Sequence, residues 1–325
     1  KSDQARILVP DVPADTLDKL VAGNNTFAMD LYQALRFSQN GNLFYSPYSI
    51  SLALSMTYGG ARGETEAQMA QALHFDLPQE ALHPAFNQLD LDLTQVAEVE
   101  KDEHQPMQLN IANAVWAQQD HPFLPEYLDL LALNYGAGLH LADFTSQAEP
   151  VRKEINRWVS DQTEERIQDI IGPGVLDALT RMVLVNAIYF KADWQVQFDA
   201  NDTDKAPFYL LDGSEVQVDM MSNDLNLPYV RGENYQAVEL PYAGGDAVMD
   251  IIVPNEGQFE AFEAAMDWPL VDGILGGLQP TELQLEMPKF TFRSQFALAD
   301  KLAALGMADA FNAGQADFSG MDGRQ

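Results

Sequence analysis

"RMVLVNAIYF", residues 181–190, is the stretch that most narrows what this chain can become. Its β-branched and aromatic residues favour an extended backbone. Apolar side chains fall on both alternating sets, so neither face of such a strand can be left in water. The expected element is a central strand with layers packed above and below it. Asn186 sits in its middle, and a buried amide requires hydrogen-bond partners, so something polar must lie against it.

The stretch "NLFYSPYSISLALSMTYGGARGETEAQM", residues 42–69, makes a similar demand. Ser46 followed by Pro47 reads as an N-cap and a first helical position. The helix beyond is apolar nearly all round, so it should be buried. Yet Ser46, Ser49, Ser51 and Ser55 lie among its apolar residues. A buried hydroxyl without a partner costs about 1–3 kcal/mol. The bland account is capping by Ser46 and a bond from Ser49 to a backbone carbonyl.

Elsewhere the pattern alternates between helix and strand. Residues 1–20 read as a loose arm. Phe27, Leu31 and Leu35 mark an amphipathic helix over 24–35, with Asn24 and Asn25 at its start. Helices are also expected over 63–73, near 123–134, over 148–167 with Val151, Ile155, Trp158 and Val159 on one face, and within 294–307, closed by Gly306. Strands are expected over 109–119, in the pair 237–254 around Gly244-Gly245, and over 281–292. Helices fill the first half and strands the second, which is an α+β arrangement.

Composition excludes several functions. The formal net charge is -31, so phosphate backbones and anionic membrane surfaces are repelled. There are no cysteines, hence no thiol nucleophile and no thiolate metal site. No apolar run is long enough to span a membrane. His74, His83, His104, His121 and His140 fall in one acidic region without metal-ligand spacing, and read as surface residues. No nucleophile motif is present, so no catalytic site, metal or cofactor is expected.

The quoted segments carry a further meaning. Residues 42–69 closely resemble the second and third helices of the serpins. "LVNAIYFKADWQVQF" (184–198) resembles the third strand of their sheet A and the turn after it. "ELPYAGGDAVMDIIVP" resembles the hairpin of their sheet B, "MPKFTF" (287–292) their Leu-Pro-Lys-Phe strand, and "ALGMADAFNAGQADFSGM" the segment that follows. All occur in family order. The resemblance implies a single serpin domain over 1–325, with three β-sheets, A, B and C, and eight or nine helices.

It also implies a mechanism. The family's inhibitors are suicide substrates: a protease cuts an exposed reactive loop, and the acyl-enzyme is trapped as the loop inserts into sheet A, a case of strand addition. On this view Ser46, Ser49 and Asn186 form a shutter cluster under sheet A, able to exchange partners as a strand enters. Trp194 and Lys289 lie at the breach at its top. The implied partner is a serine protease, or a cysteine protease, met outside the cell or in a periplasm. The alternative is a non-inhibitory serpin acting as carrier, chaperone or storage protein. In the family about 50–60 further residues follow the position of Gln325, carrying the loop and a histidine of the cluster. A C-terminal fragment or continuation is therefore an expected partner.

Some serpins are accelerated by heparin through a basic helix in the region of residues 77–103. Here the only Lys or Arg between Gly63 and Val151 is Lys101. Heparin at physiological salt should leave any inhibition rate unchanged, and stopped-flow assays with and without heparin check this. A heparin-dependent rise would contradict it.

Overall fold

A computed structural model describes the chain apart from residues 1, 38–40, 99–106, 137, 293, 295–296 and 325, and apart from the side chains of 96–98 and 138–139. His104, Lys101 and the end of the expected heparin region lie outside the described residues. The first half is helical: α1 (Ala14–Leu35), α2 (Pro47–Tyr58), α3 (Gly63–Ala72), α4 (Gln79–Glu98), β1 (Gln108–Gln118), α5 (Pro125–Tyr135), β2 (Gly138–Ala142), α6 (Phe144–Gln162) and β3 (Met182–Lys191). The second half holds β4 (Thr203–Tyr209), β5 (Glu215–Arg231), β6 (Tyr235–Pro241), β7 (Val248–Pro254), α7 (Phe259–Ala265), α8 (Trp268–Gly276), β8 (Gln279–Pro288) and two single helical turns, α9 (Ala299–Leu302) and α10 (Ser319–Asp322).

The expected loose arm is shorter and is not loose. Leu20 stands seven residues before Phe27 on the same apolar stripe, so α1 begins at Ala14 and buries both. Asn24 and Asn25 therefore lie inside this helix and do not start it. Residues 2–12 have no regular structure but bond to α4 and α5. The expected helix over 148–167 ends at Gln162. Glu164 and Glu165 take positive φ values, and Thr163 bonds the Val159 carbonyl and accepts from Ile167 N, which turns the chain out of the helix. The strand expected over 281–292 stops at Pro288.

The first sheet has the order β2-β1-β3, with β1–β2 parallel and β1–β3 antiparallel. Among the described residues β1 is thus the middle strand and β3 the outer one, where a central place was expected for β3. The expected cover on both faces is present. Met182 and Leu184 pack with the large helical core that includes Leu52 and Met56 of α2. Val183, Val185 and Ala187 pack on Ile155 and Val159 of α6. Strand alternation assigns each set to its own face.

The second ladder runs β4-β5-β6-β7, with β8 also paired to β5. β5 is 17 residues long and serves several partners: β4 over its first part, β8 along its middle, and β6 at its end. Residues 193–195 tie the two sheets together. Trp194 bridges Tyr242, Gln195 N donates to Pro241 O, and Ala243 N donates to Asp193 O.

The last segment returns to the start of the helical half. Gly320 N donates to Gly60 O, Arg62 N to Asp317 O, and Leu124 N to Met321 O. A Cβ at Gly60 would lie 2.2 Å from Met321 Cγ, so this close crossing requires glycine.

Candidate functional site

Helix α2, which Ser46 caps and which carries Ser49, packs on β3, which carries Asn186. Ser46 is the N-cap of α2, and its Oγ accepts from Ser49 N at 3.2 Å. The other half of the bland account is not met: Ser49 Oγ is buried with no hydrogen-bond partner among the described residues. Asn186 shares the alternation of Met182 and Leu184, so it faces the side on which α2 packs. Its Nδ2 donates to Asn113 Oδ1 at 2.5 Å, and its own Oδ1 is buried and unpartnered among the described residues.

Asn113 was not anticipated. It is the residue opposite Asn186 in the β1–β3 register. The available signal was an amide inside the apolar strand "IANAVW", the same signal that marked Asn186. Which amide faces which depends on register, and register is set by the whole ladder.

Ser55 answers part of the question posed by the buried serines. Its Oγ lies 2.8 Å from Leu52 O and 2.9 Å from the Tyr135 hydroxyl. The Tyr135 hydroxyl is in turn 2.5 Å from His83 Nδ1. His83 is 2% exposed, which corrects its expected surface position. Leu82, His83, Phe86, Asn87 and Asp90 follow one another at helical spacing on the buried side of α4. That spacing was the signal available in the sequence. Burial pushes the imidazole pKa down to about 4, so the ring is neutral near pH 7 and Nδ1 accepts from the Tyr135 O–H.

Trp194 and Lys289 both lie against the second ladder. Trp194 stacks on Tyr242 with centroids 4.6 Å apart and an interplanar angle of 9°. It also packs against the cluster of Leu227, Leu240 and Met287. Lys289 is exposed, and its backbone N donates to Asp219 O. Asp219 also takes a 2.8 Å ion pair from Lys205. The Lys205 hydrogen bond and charge, with a smaller contribution from Lys289, hold the Asp219 carboxyl below its ordinary pKa. No group of three or more potential metal-ligating side chains occurs among the described residues. No helix there is long and apolar enough to cross a membrane.

The family model described as "Serpin (serine protease inhibitor)" matches residues 22–325. A leukocyte elastase inhibitor of Xenopus laevis is 36% identical over 94% of this chain and 82% of its own length. The leukocyte elastase inhibitor A of Mus musculus is also 36% identical, with the same coverage. Emu ovalbumin superposes with a TM-score of 0.87 at 29% identity, over 94% of this chain and 82% of that one. A loop-inserted, cleaved ovalbumin mutant gives 0.87 at 28% identity, over 94% and 83%.

Proposed function

We infer the function from one premise: the chain belongs to the serpin family. The reading its residues support best is a suicide inhibitor of a serine protease, or of a cysteine protease, with no catalytic activity of its own. The protease nucleophile attacks the scissile carbonyl of the reactive loop. An acyl-enzyme forms and the new amino terminus departs. Insertion of the loop into the sheet built on β1 and β3 then outruns deacylation. Ser46, Ser49 and Asn186 would gate the sheet, and Trp194 and Lys289 would lie where the loop first enters. A location outside the cell or in a periplasm belongs to the same proposal.

The observation that carries the reading is the state of the cluster. Asn186 is paired to Asn113 by one hydrogen bond between their side-chain amides, while Asn186 Oδ1 and Ser49 Oγ have no partner among the described residues. A polar set with spare bonding capacity under a strand can change partners as a strand is added. An apolar contact offers no such exchange. The relatives named as leukocyte elastase inhibitors support an inhibitory role, and we take elastase-like enzymes as the first targets to try. The likeness to ovalbumins leaves room for a second reading, a non-inhibitory serpin acting as carrier, chaperone or storage protein.

The test uses full-length protein with its reactive loop, incubated with elastase-, trypsin-, chymotrypsin-, subtilisin- and papain-like proteases. An SDS-stable complex and a single cleavage are expected. The cleaved form should melt well above the native one. Each ladder bond of an inserted strand contributes about 0.5–1.5 kcal/mol, and apolar burial adds roughly 25 cal/mol per Å². No complex with any enzyme, together with unchanged melting after loop cleavage, favours the non-inhibitory reading.

A further inference from the structure

The family match begins at residue 22, yet residues before it make long-range polar contacts with the helical half. Arg6 Nε donates to Asn87 Oδ1 at 2.8 Å, and Arg6 Nη2 donates to Asp90 Oδ2 at 2.6 Å and to Asn87 O at 3.5 Å. Asn87 is fully buried and Asp90 is 6% exposed. The asparagine answers in kind, its Nδ2 donating to Ile7 O at 2.7 Å, while Ile7 N donates to Leu133 O on α5 at 2.9 Å. Ser2 Oγ adds a bond to Asp129, also on α5. Gly136 closes the site: it holds φ at +54°, and a Cβ there would stand 2.7 Å from Arg6 Cδ. The planar fork of a guanidinium suits this set of oxygens better than an ammonium would.

The site also reaches α2. Tyr48, in the first turn of that helix between Ser46 and Ser49, donates its hydroxyl to Asp90 Oδ1 at 3.3 Å. One carboxylate thus holds the N-terminal arm through one oxygen and the gating helix through the other.

We propose that Asn87, Asp90 and Gly136 form a guanidinium-binding site whose ligand is the N-terminal segment of this chain, and that Arg6 docked there latches α2 to α4 and α5. The segment is a detachable strap. It has no regular structure, and Leu8 and Val9 face solvent at 72% and 88% exposure. With Arg6 in place, the Asp90 carboxylate is neutralised and stays fixed for Tyr48. With Arg6 gone, the buried carboxylate has lost its cation and draws water or rearranges, and the first turn of α2 loses its anchor. The latch goes beyond the inhibitory reading and does not depend on it, because its readout is the local opening of α2.

Hydrogen exchange on the full chain tests it. Arg6→Gln should speed exchange about tenfold or more in residues 47–58 as well as around 87–90, the scale set by breaking a buried ion pair. Val9→Ser, at an exposed position, should change neither. A synthetic peptide of residues 1–12, added to protein lacking that segment, should restore protection of 47–58, and the same peptide carrying Arg6→Gln should not. If Arg6→Gln does not fold, Arg6→Lys, which keeps the charge and loses the fork, should give a smaller rise in the same segments. Faster exchange confined to 2–12 and 87–90, with 47–58 unchanged, overturns the latch, as does equal protection by both peptides.

Discussion

Asn186→Leu is expected to destabilise the native protein by about 1–3 kcal/mol, because Asn113 Oδ1 then loses its donor at a part-buried position. Ser49→Phe should cost a similar amount, about 1–3 kcal/mol, by forcing volume between α2 and the sheet. Both changes act at the face where α2 meets β3, so both should part the strands above it and promote polymeric or latent forms. Ser49→Ala is the informative contrast. Ser49 Oγ makes no bond among the described residues, so its removal should cost under about 1 kcal/mol. Urea melts report the stabilities, and size exclusion after mild heating reports the polymers. Wild-type melting and a monomeric state in both bulky variants would reduce the cluster to ordinary core.

Acidification should have an effect of comparable size through His83. The folded state keeps this ring neutral, with its pKa lowered by burial from 6.5 to about 4. The unfolded chain takes up a proton below about 6.5. Between those values the unfolded state binds more protons, so stability falls as the pH falls through this window and levels off below about 4. At roughly 1.4 kcal/mol per pH unit the loss approaches 3 kcal/mol. The many carboxylates titrate in the lower part of the same range, so the experiment is differential. His83→Phe should lose markedly less stability than wild type when urea melts at pH 7 and pH 4.5 are compared. Parallel losses in the two proteins would show that His83 is not the sensor.

The local elements of this fold are written within a few residues of themselves. Ser46-Pro47 starts α2, the stripe of Phe27, Leu31 and Leu35 makes α1, and Gly244-Gly245 turns the β6–β7 hairpin. These signals survive because capping, periodicity and positive φ are decided by neighbours along the chain. Family membership was legible for a related reason, since several such segments recur in family order. Even here a boundary could shift: α1 runs back to Ala14 because Leu20 finds the same core as Phe27.

What the sequence did not determine is which polar group meets which. Asn186 was visible as an amide in need of a partner, but Asn113 lies 73 positions away and is chosen by ladder register. Arg6 meets Asp90 across 84 positions, and His83 meets Tyr135 across 52. Periodicity records how many faces of an element are buried and not what lies against them. Lys289 shows the same limit: its charge is obvious in the sequence, while its neighbour Asp219 is set by the pairing of β8 with β5. Tertiary packing decides these pairs because a buried polar atom takes its partner from whatever the fold brings within about 3 Å, at any distance along the chain.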